Sequence, residues 1–449
     1  MRRATTLGAV RAGPPQVWAG FECARVRVGR RSVDQLQLTG HAARPGDLDL
    51  LSWLGVTAVR YPIAWDRVAY RGKAAADWRW TDERLSRLAE IGVRPIAGLL
   101  HHGGGPPGMS MLHSAFPAAF ANFAVAVARR YPWIDAYLPI NEPLTTARFS
   151  GMYGVWHPHA RSDAIFARLL LAQCVAIRAA MEAIRSVRDD ARFIVNEDVG
   201  RTFASPALTS TADYANERRW LSWDLLSGLV DEHHPMWSLL ASSAAAQRDL
   251  MTLLERPSPP DVLGIDHYVT SDRYVDDHVD AYPAAIRPRP DQPPYVDVEA
   301  VRVAGVPGGG LERAIADTWD RYGRPMALSE VALAGASRDQ VAWWQEAWAA
   351  SLAAQASGMD LRAVTAWALV GATDWDSLLR TAAGRYEPGL FDARHDPPRS
   401  RPVADAVRRT ALSAAARDQV GEASSPPTRA TGWWRRSDRY LFDGTIGIA

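Results

Sequence analysis

The chain has 449 residues, 47% hydrophobic and 22% charged, with a formal net charge of +1. That is ordinary globular composition with enough length for a sizeable core, and its charge gives no electrostatic case for nucleic acid or an acidic membrane surface as partner. Cys23 and Cys174, the only cysteines, make no disulfide framework, so a reducing, cytoplasmic setting is expected. Residues 1–15 carry three arginines but no apolar h-region, and no stretch of about 18 uncharged apolar residues reads as a membrane span.

In chain order, residues 17–21 form a short apolar run ending at Glu22, followed by a polar, arginine-rich stretch to Arg44. Pro45-Gly46-Asp47 opens an amphipathic helix over 48–54, closed by Gly55. Residues 56–61 read as a strand ending at Arg60-Tyr61-Pro62. A helix over 81–91 is expected, with Thr81 as N-cap and Gly92 as stop. Residues 93–100 are a strand ending at His101-His102, and 115–131 a helix. The run 133–140 is a strand that must end where Pro143 follows Asn141-Glu142, because proline cannot donate to a sheet ladder. A loop to Ser162 leads into a long helix, 163–187, and then a strand, 193–195, ending at Asn196-Glu197-Asp198.

The second half is less regular. Helices are expected over 222–230 and 244–254, and a strand over 262–265 ending at Asp266-His267-Tyr268. A proline-rich loop, 282–294, precedes a helix over 311–322. A strand over 325–328 ends at Ser329-Glu330, followed by a helix over 338–357. A strand over 364–369 leads to Asp374-Trp375, and a last helix spans 401–415. Eight strands, each with a helix-bearing segment after it, are the count that closes a (β/α)8 barrel, the TIM barrel. The division expected is an N-terminal extension, 1–16, a single barrel domain with long βα loops, 17–417, and a C-terminal tail, 418–449, disordered or docked by its Trp433-Trp434.

Strand tips at the C-terminal end of such a barrel face its active site. Two tips, after the fourth and seventh strands, carry Glu142 and Glu330. Strands four and seven lie across the barrel mouth from each other, and two facing carboxyls are what glycoside hydrolysis requires. One must be protonated and the other ionised, so their environments must differ. Arg60 at the second tip and Tyr268 at the sixth are placed to hold Glu330. Glu197 and Asp198 are rival carboxylates whose simpler reading is helix capping or surface charge. The histidines show no metal-ligand spacing, and no cofactor motif is present.

With these motifs in order, the chain resembles glycoside hydrolase family 1 over most of residues 17–410. Leu138-Pro139-Ile140-Asn141-Glu142-Pro143 resembles the family's acid/base strand, and Ala327-Leu328-Ser329-Glu330 its nucleophile strand. Val59-Arg60-Tyr61-Pro62, His101-His102, Gly264-Ile265-Asp266-His267-Tyr268 and Trp367-Ala368-Leu369 with Asp374-Trp375 are similar to its second, third, sixth and eighth strand ends. The resemblance implies a retaining, β-glucosidase-like glycosidase acting by double displacement, with Glu142 as acid/base and Glu330 as nucleophile. It further implies Arg60, His102, Asn141, Tyr268, Trp367, Asp374 and Trp375 as substrate-binding residues, a carbohydrate or glycoside as partner, and no metal or cofactor. The departures are Val331-Ala332 where the family has Asn-Gly, Gly103 where a Trp follows the histidine, Asp374 for a glutamate and Asp266 for an asparagine. Glu22 lies near the position of a glycone-binding glutamine. Two alternatives stay open: a catalytically degenerate carbohydrate-binding or assembly barrel in polysaccharide metabolism, and a transglycosidase using the same pair.

Overall fold

The computed structural model describes residues 13–68, 76–290, 292–306, 310–420 and 431–442, with side chains only to residue 416 in the helix that ends at 420. Most of the expected 1–16 extension and parts of the tail lie outside them. Eight parallel strands close into a barrel. They are β1 (Gln16–Gly20), β2 (Ala58–Pro62), β3 (Arg94–His101), β4 (Ala136–Asn141), β5 (Arg192–Asp198), β6 (Val262–Asp266), β7 (Met326–Val331) and β8 (Leu361–Ala366). Each pairs with its neighbours in sequence, and β1 closes the ring on β8, with Gln16 opposite Ala363. The expected barrel is therefore the fold.

Strand periodicity explains the two layers of core. Val59 and Tyr61 point outward into the cluster shared with the helices, whereas Ala58 and Arg60 point into the lumen. A small inner cluster takes at least one residue from every strand: Trp18, Ala58, Ile96, Ala136, Leu138, Ile194, Val262, Ala327 and Ala363. Only the barrel interior can gather those nine. This apolar plug floors the lumen, and the polar strand tips sit above it.

The outer helices follow from amphipathic patterning. They include α1 (Asp49–Leu54), α2 (Arg79–Glu90), α3 (Phe116–Arg130) and α4 (Asp163–Arg185). Gly55 ends α1 with φ 73°, the left-handed turn that glycine adopts without steric penalty. Helix α2 starts before the expected Thr81 cap, which is buried inside it. Asp77 accepts the Arg79 N–H at 3.2 Å, and the Asp82 N–H bonds Trp78 O at 2.7 Å. Helix α4 is long and apolar enough to cross a membrane, but its apolar residues are buried inside the fold, among them Phe166, Leu170, Ile177 and Ile184.

Three features escaped the linear reading. The arginine-rich stretch forms a hairpin, Arg25–Val28 with Arg31–Asp34, because alternating Val26 and Val33 bury one face against Trp156 and Leu379. A three-stranded sheet, Thr202–Ala204, Arg273–Asp276 and Val296–Glu299, assembles from the β5 and β6 loops around Tyr274, Tyr282 and Val298. The tail segment 431–442 docks: Trp434 is buried and donates to Glu346 at 3.0 Å, while Val303 bridges Phe442.

Candidate active site

Glu142 follows β4 directly and has φ 40° and ψ 65°, a left-handed conformation that costs a non-glycine residue about 1–3 kcal/mol. Several contacts hold it there. Its N–H bonds Asn196 Oδ1 at 3.3 Å, and its carbonyl accepts the Thr146 N–H at 2.9 Å. Pro143 then starts a five-residue helix, Pro143–Ala147, whose N-terminal amides are capped from β5: Glu197 accepts the N–H of Leu144 at 2.6 Å and of Thr145 at 3.4 Å. Ser222 also donates to Glu197. The capping role weighed for Glu197 is thus the one it has, and Asp198 accepts the Gly200 N–H at 3.1 Å.

The Glu142 carboxyl is pushed well above the ordinary carboxylate range by burial, then by the charges of Asp266 and Glu330. His102 Nε2 lies 3.5 Å from its Oε2. Burial, reinforced by Arg60, drives the His102 pKa down to about 3, so the ring is neutral at physiological pH. Its contacts, Thr146 Oγ1 at 2.8 Å on Nδ1 and Asn141 Nδ2 at 3.2 Å on Nε2, suit a proton on Nδ1 and an acceptor at Nε2.

Glu330 comes from β7 where the register slips. Leu328 pairs with Ile265, but Glu330 pairs with Asp266. This irregularity lets two consecutive residues serve the lumen. Ser329 Oγ donates to Asp266 Oδ1 at 2.6 Å, and Glu330 receives Arg60 Nη1 on Oε1 at 2.9 Å and the Tyr268 hydroxyl on Oε2. These are the partners an ionised carboxylate takes. The other arm of Arg60 reaches across to Asn141 Oδ1 at 2.6 Å. Gly264 makes room for this layer: a Cβ there would lie 2.6 Å from Ser329 Oγ and 2.7 Å from Asn196 Cβ.

Trp367 follows β8 and lies under the site, with the Arg60 guanidinium 4.4 Å from its ring centroid. Gly20 permits this, since a Cβ would stand 2.4 Å from the indole. The His101 ring stacks parallel to Trp367 at 5.9 Å. The sequence reading assigned only His102 to the site, but both histidines reach it from different sides. His101 meets Cys23 Sγ at 3.3 Å and Glu22 Oε1 at 3.6 Å, while a φ of 57° turns His102 back toward Glu142. Neighbours on a regular strand would have pointed apart. Burial and the charge of Glu330 raise Glu22 to about 8.

Asp374 follows β8 and precedes Trp375. Its two carboxylate oxygens accept the N–H groups of Gly384 at 3.1 Å and Arg385 at 2.8 Å, closing a local turn. Trp375 stands 5.8 Å from the His102 ring and 6.0 Å from Trp156, with a buried Nε1 that has no partner among the described residues. Asn196 and His101 were not singled out from sequence, and Glu22 stood out only by lying near the position of a glycone-binding glutamine. The signal available for Asn196 was its place two residues after Ile194 on an alternating strand tip.

No family model matches the chain, and no curated protein matches it in sequence. Solved structures do. The psychrophilic β-glucosidase BglU from Micrococcus antarcticus superposes with a TM-score of 0.72 at 16% identity, over 90% of this chain and 98% of that one. The AHE enzyme from Alicyclobacillus herbarius gives 0.67 at 19% identity over 84% and 87%, and a family 1 β-glucosidase from Thermotoga maritima 0.67 at 15% over 83% and 87%. In fold, the chain is a (β/α)8 barrel of the kind found in family 1 β-glucosidases.

Proposed function

We propose that the chain is a retaining glycoside hydrolase that cleaves a β-O-glycosidic bond, with Glu142 as acid/base and Glu330 as nucleophile. The observation that carries this reading is the Arg60 fork, which joins Glu330 to Asn141, the residue before Glu142. The β-glucosidase names of the structural neighbours support the glycosidase class.

In the first step a Glu330 oxygen attacks the anomeric carbon. The bond from that carbon to the glycosidic oxygen breaks, and the leaving oxygen takes the proton of Glu142. In the second step the Glu142 carboxylate removes a proton from water, and the water oxygen attacks the anomeric carbon. The ester bond breaks and Glu330 recovers its charge. Arg60 and Tyr268 orient Glu330 for attack, and Trp367 offers an apolar face to the sugar ring. A reducing, cytoplasmic setting belongs to this reading, since Cys23 and Cys174 are both free thiols.

A second reading, a carbohydrate-binding barrel without turnover, draws on the commitment of Asp374 to its own turn. One experiment separates the two. A 2-deoxy-2-fluoro glycosyl fluoride is expected to label Glu330 covalently, detected as a mass increase on its peptide, and Glu330→Ala to abolish aryl glycoside hydrolysis. Full hydrolysis by Glu330→Ala sinks the hydrolase reading, and oligosaccharide binding with neither labelling nor turnover favours the second.

A further inference from the structure

Arginines around this barrel mouth are mostly paired with carboxylates. Arg60 holds Glu330 at 2.9 Å, Arg219 holds Asp317 at 2.7 Å, and Arg273 holds Asp297 at 2.8 Å. Two are not. Among the described residues, neither Arg148 nor Arg218 has a carboxylate in ion-pair contact. Arg148 donates from Nη2 to Thr145 Oγ1 at 3.2 Å, and its buried Nε has no partner. Arg218 directs Nη1 to Met152 Sδ at 3.1 Å and Nη2 to the Tyr153 hydroxyl at 3.2 Å, with its guanidinium 5.4 Å from the Tyr214 ring.

These residues come from adjacent loops. Arg148 and Tyr153 lie on and just after the single turn Arg148–Met152, which continues the short helix after Glu142. Arg218 and Tyr214 lie on the helix Thr209–Arg218 in the loop after β5. Tyr153 is 41% exposed and Tyr214 37%, so both rings are available to a ligand. A group donating its proton to the leaving oxygen must face the leaving group, so the loop that follows Glu142 flanks that side of the scissile bond. Burial works against the charge of Arg148, but neighbouring Tyr153, Asp198, Glu197 and Glu142 raise its pKa overall, keeping it cationic. Asp198, Glu197 and Glu142 act on Arg148 without an ion-pair contact among the described residues.

We propose that Arg148 and Arg218, together with the rings of Tyr153 and Tyr214, form a leaving-group subsite for an aglycone or sugar that carries an anion. A planar guanidinium matches carboxylate and phosphate geometry, and aromatic faces match a sugar or aryl ring between them. The proposal rests on the glycosidase reading only for which side of the site it occupies.

The test uses the full chain carrying Glu330→Gln, so that ligands bind without turnover. Calorimetry compares 4-carboxyphenyl, 4-phosphonophenyl and 4-carbamoylphenyl β-glucosides. The anionic ligands are expected to bind at least about ten-fold more tightly than the neutral one, as charge-assisted hydrogen bonds require. The tighter of the two anions identifies the group. Adding Arg148→Met and Arg218→Met should bring the ratio close to one, and Arg218→Met alone, at a half-exposed position, should lower it and serves if the combined variant does not fold. Equal affinities, no binding of any of the three, or an unchanged ratio in the Arg218→Met variant overturns the proposal. Turnover by the unsubstituted chain is read separately. Anion preference without release of the phenol refutes hydrolysis and leaves the subsite standing, whereas hydrolysis without anion preference refutes the subsite alone.

Discussion

The Glu197 carboxylate accepts the Leu144 N–H at 2.6 Å, and by that bond the fifth barrel strand anchors the turn that carries Glu142. One glutamate is thus spent on holding another in a left-handed conformation. Removing the acceptor by Glu197→Ala leaves buried amides unpaired, at about 1–3 kcal/mol. We expect a lower melting temperature and a fall in kcat larger than any change in KM, with much of both restored by Glu197→Gln. The pH dependence has a definite sign. Burial raises Glu197 from 4.5 to about 7 in the folded state, so the native protein binds the proton more tightly than the unfolded chain. Its contribution makes stability fall as pH rises from about 4.5 to about 7, and this slope should be shallower in Glu197→Ala, as read by denaturant titration across that range.

The basic limb of the pH–rate profile is expected to report Glu142. Burial, with Asp266 and Glu330, raises its pKa, so the acid form persists above the ordinary carboxylate range. Activity should therefore fall only on the alkaline side of that range. Glu142→Gln should lower rates on substrates with poor leaving groups by about 10²–10⁴-fold and abolish that limb. A limb unmoved in Glu142→Gln would belong to another group.

Arg60 is buried and contacts both Glu330 and Asn141. Arg60→Met leaves the carboxylate without its cation, and breaking such a buried pair costs about 3–5 kcal/mol. Thermal unfolding should show the loss, and kcat/KM should drop by about 10²-fold or more. Arg60→Lys is not expected to restore activity, because an ammonium cannot present the two-armed fork that spans Glu330 and Asn141.

Gly264→Ala tests the layer beneath the site. The added methyl would meet Ser329 Oγ at 2.6 Å and Asn196 Cβ at 2.7 Å, inside van der Waals contact. Overpacking of this kind costs about 1–3 kcal/mol. Because Ser329 and Asn196 position Asp266 and the Glu142 amide, activity should fall with stability, measured by melting temperature and aryl glycoside turnover.

The docked tail is expected to release on its own. Trp434→Ala removes a buried indole and its bond to Glu346. Hydrogen exchange over 431–442 should accelerate while exchange in the barrel strands stays slow, as expected for a local opening unit.

Sequence patterning already displayed the eight strands, since each apolar run ends at a polar tip and is followed by a helical repeat. It also displayed Glu142 and Glu330, because a carboxylate beside proline or at the end of an alanine–leucine strand stands out against its neighbours. The Arg25–Asp34 hairpin and the sheet over Thr202–Ala204, Arg273–Asp276 and Val296–Glu299 were hidden because their strands are short and their partners come from distant loops. The backbone amides that Asp374 accepts, from ten and eleven residues away, were likewise hidden, because they come from the far side of a long loop.

By itself, the order of residues determined the barrel and the strand tips, because period and turn chemistry are local properties of the polymer. Which tip side chains face the lumen, and with what charge, was decided only by the closed barrel. The register slip at Ser329–Glu330 turned two consecutive residues inward, and positive φ at His102 and Glu142 redirected side chains that an ideal strand would have sent elsewhere. Burial then raised Glu142 and lowered His102, and burial exists only once all eight strands have met.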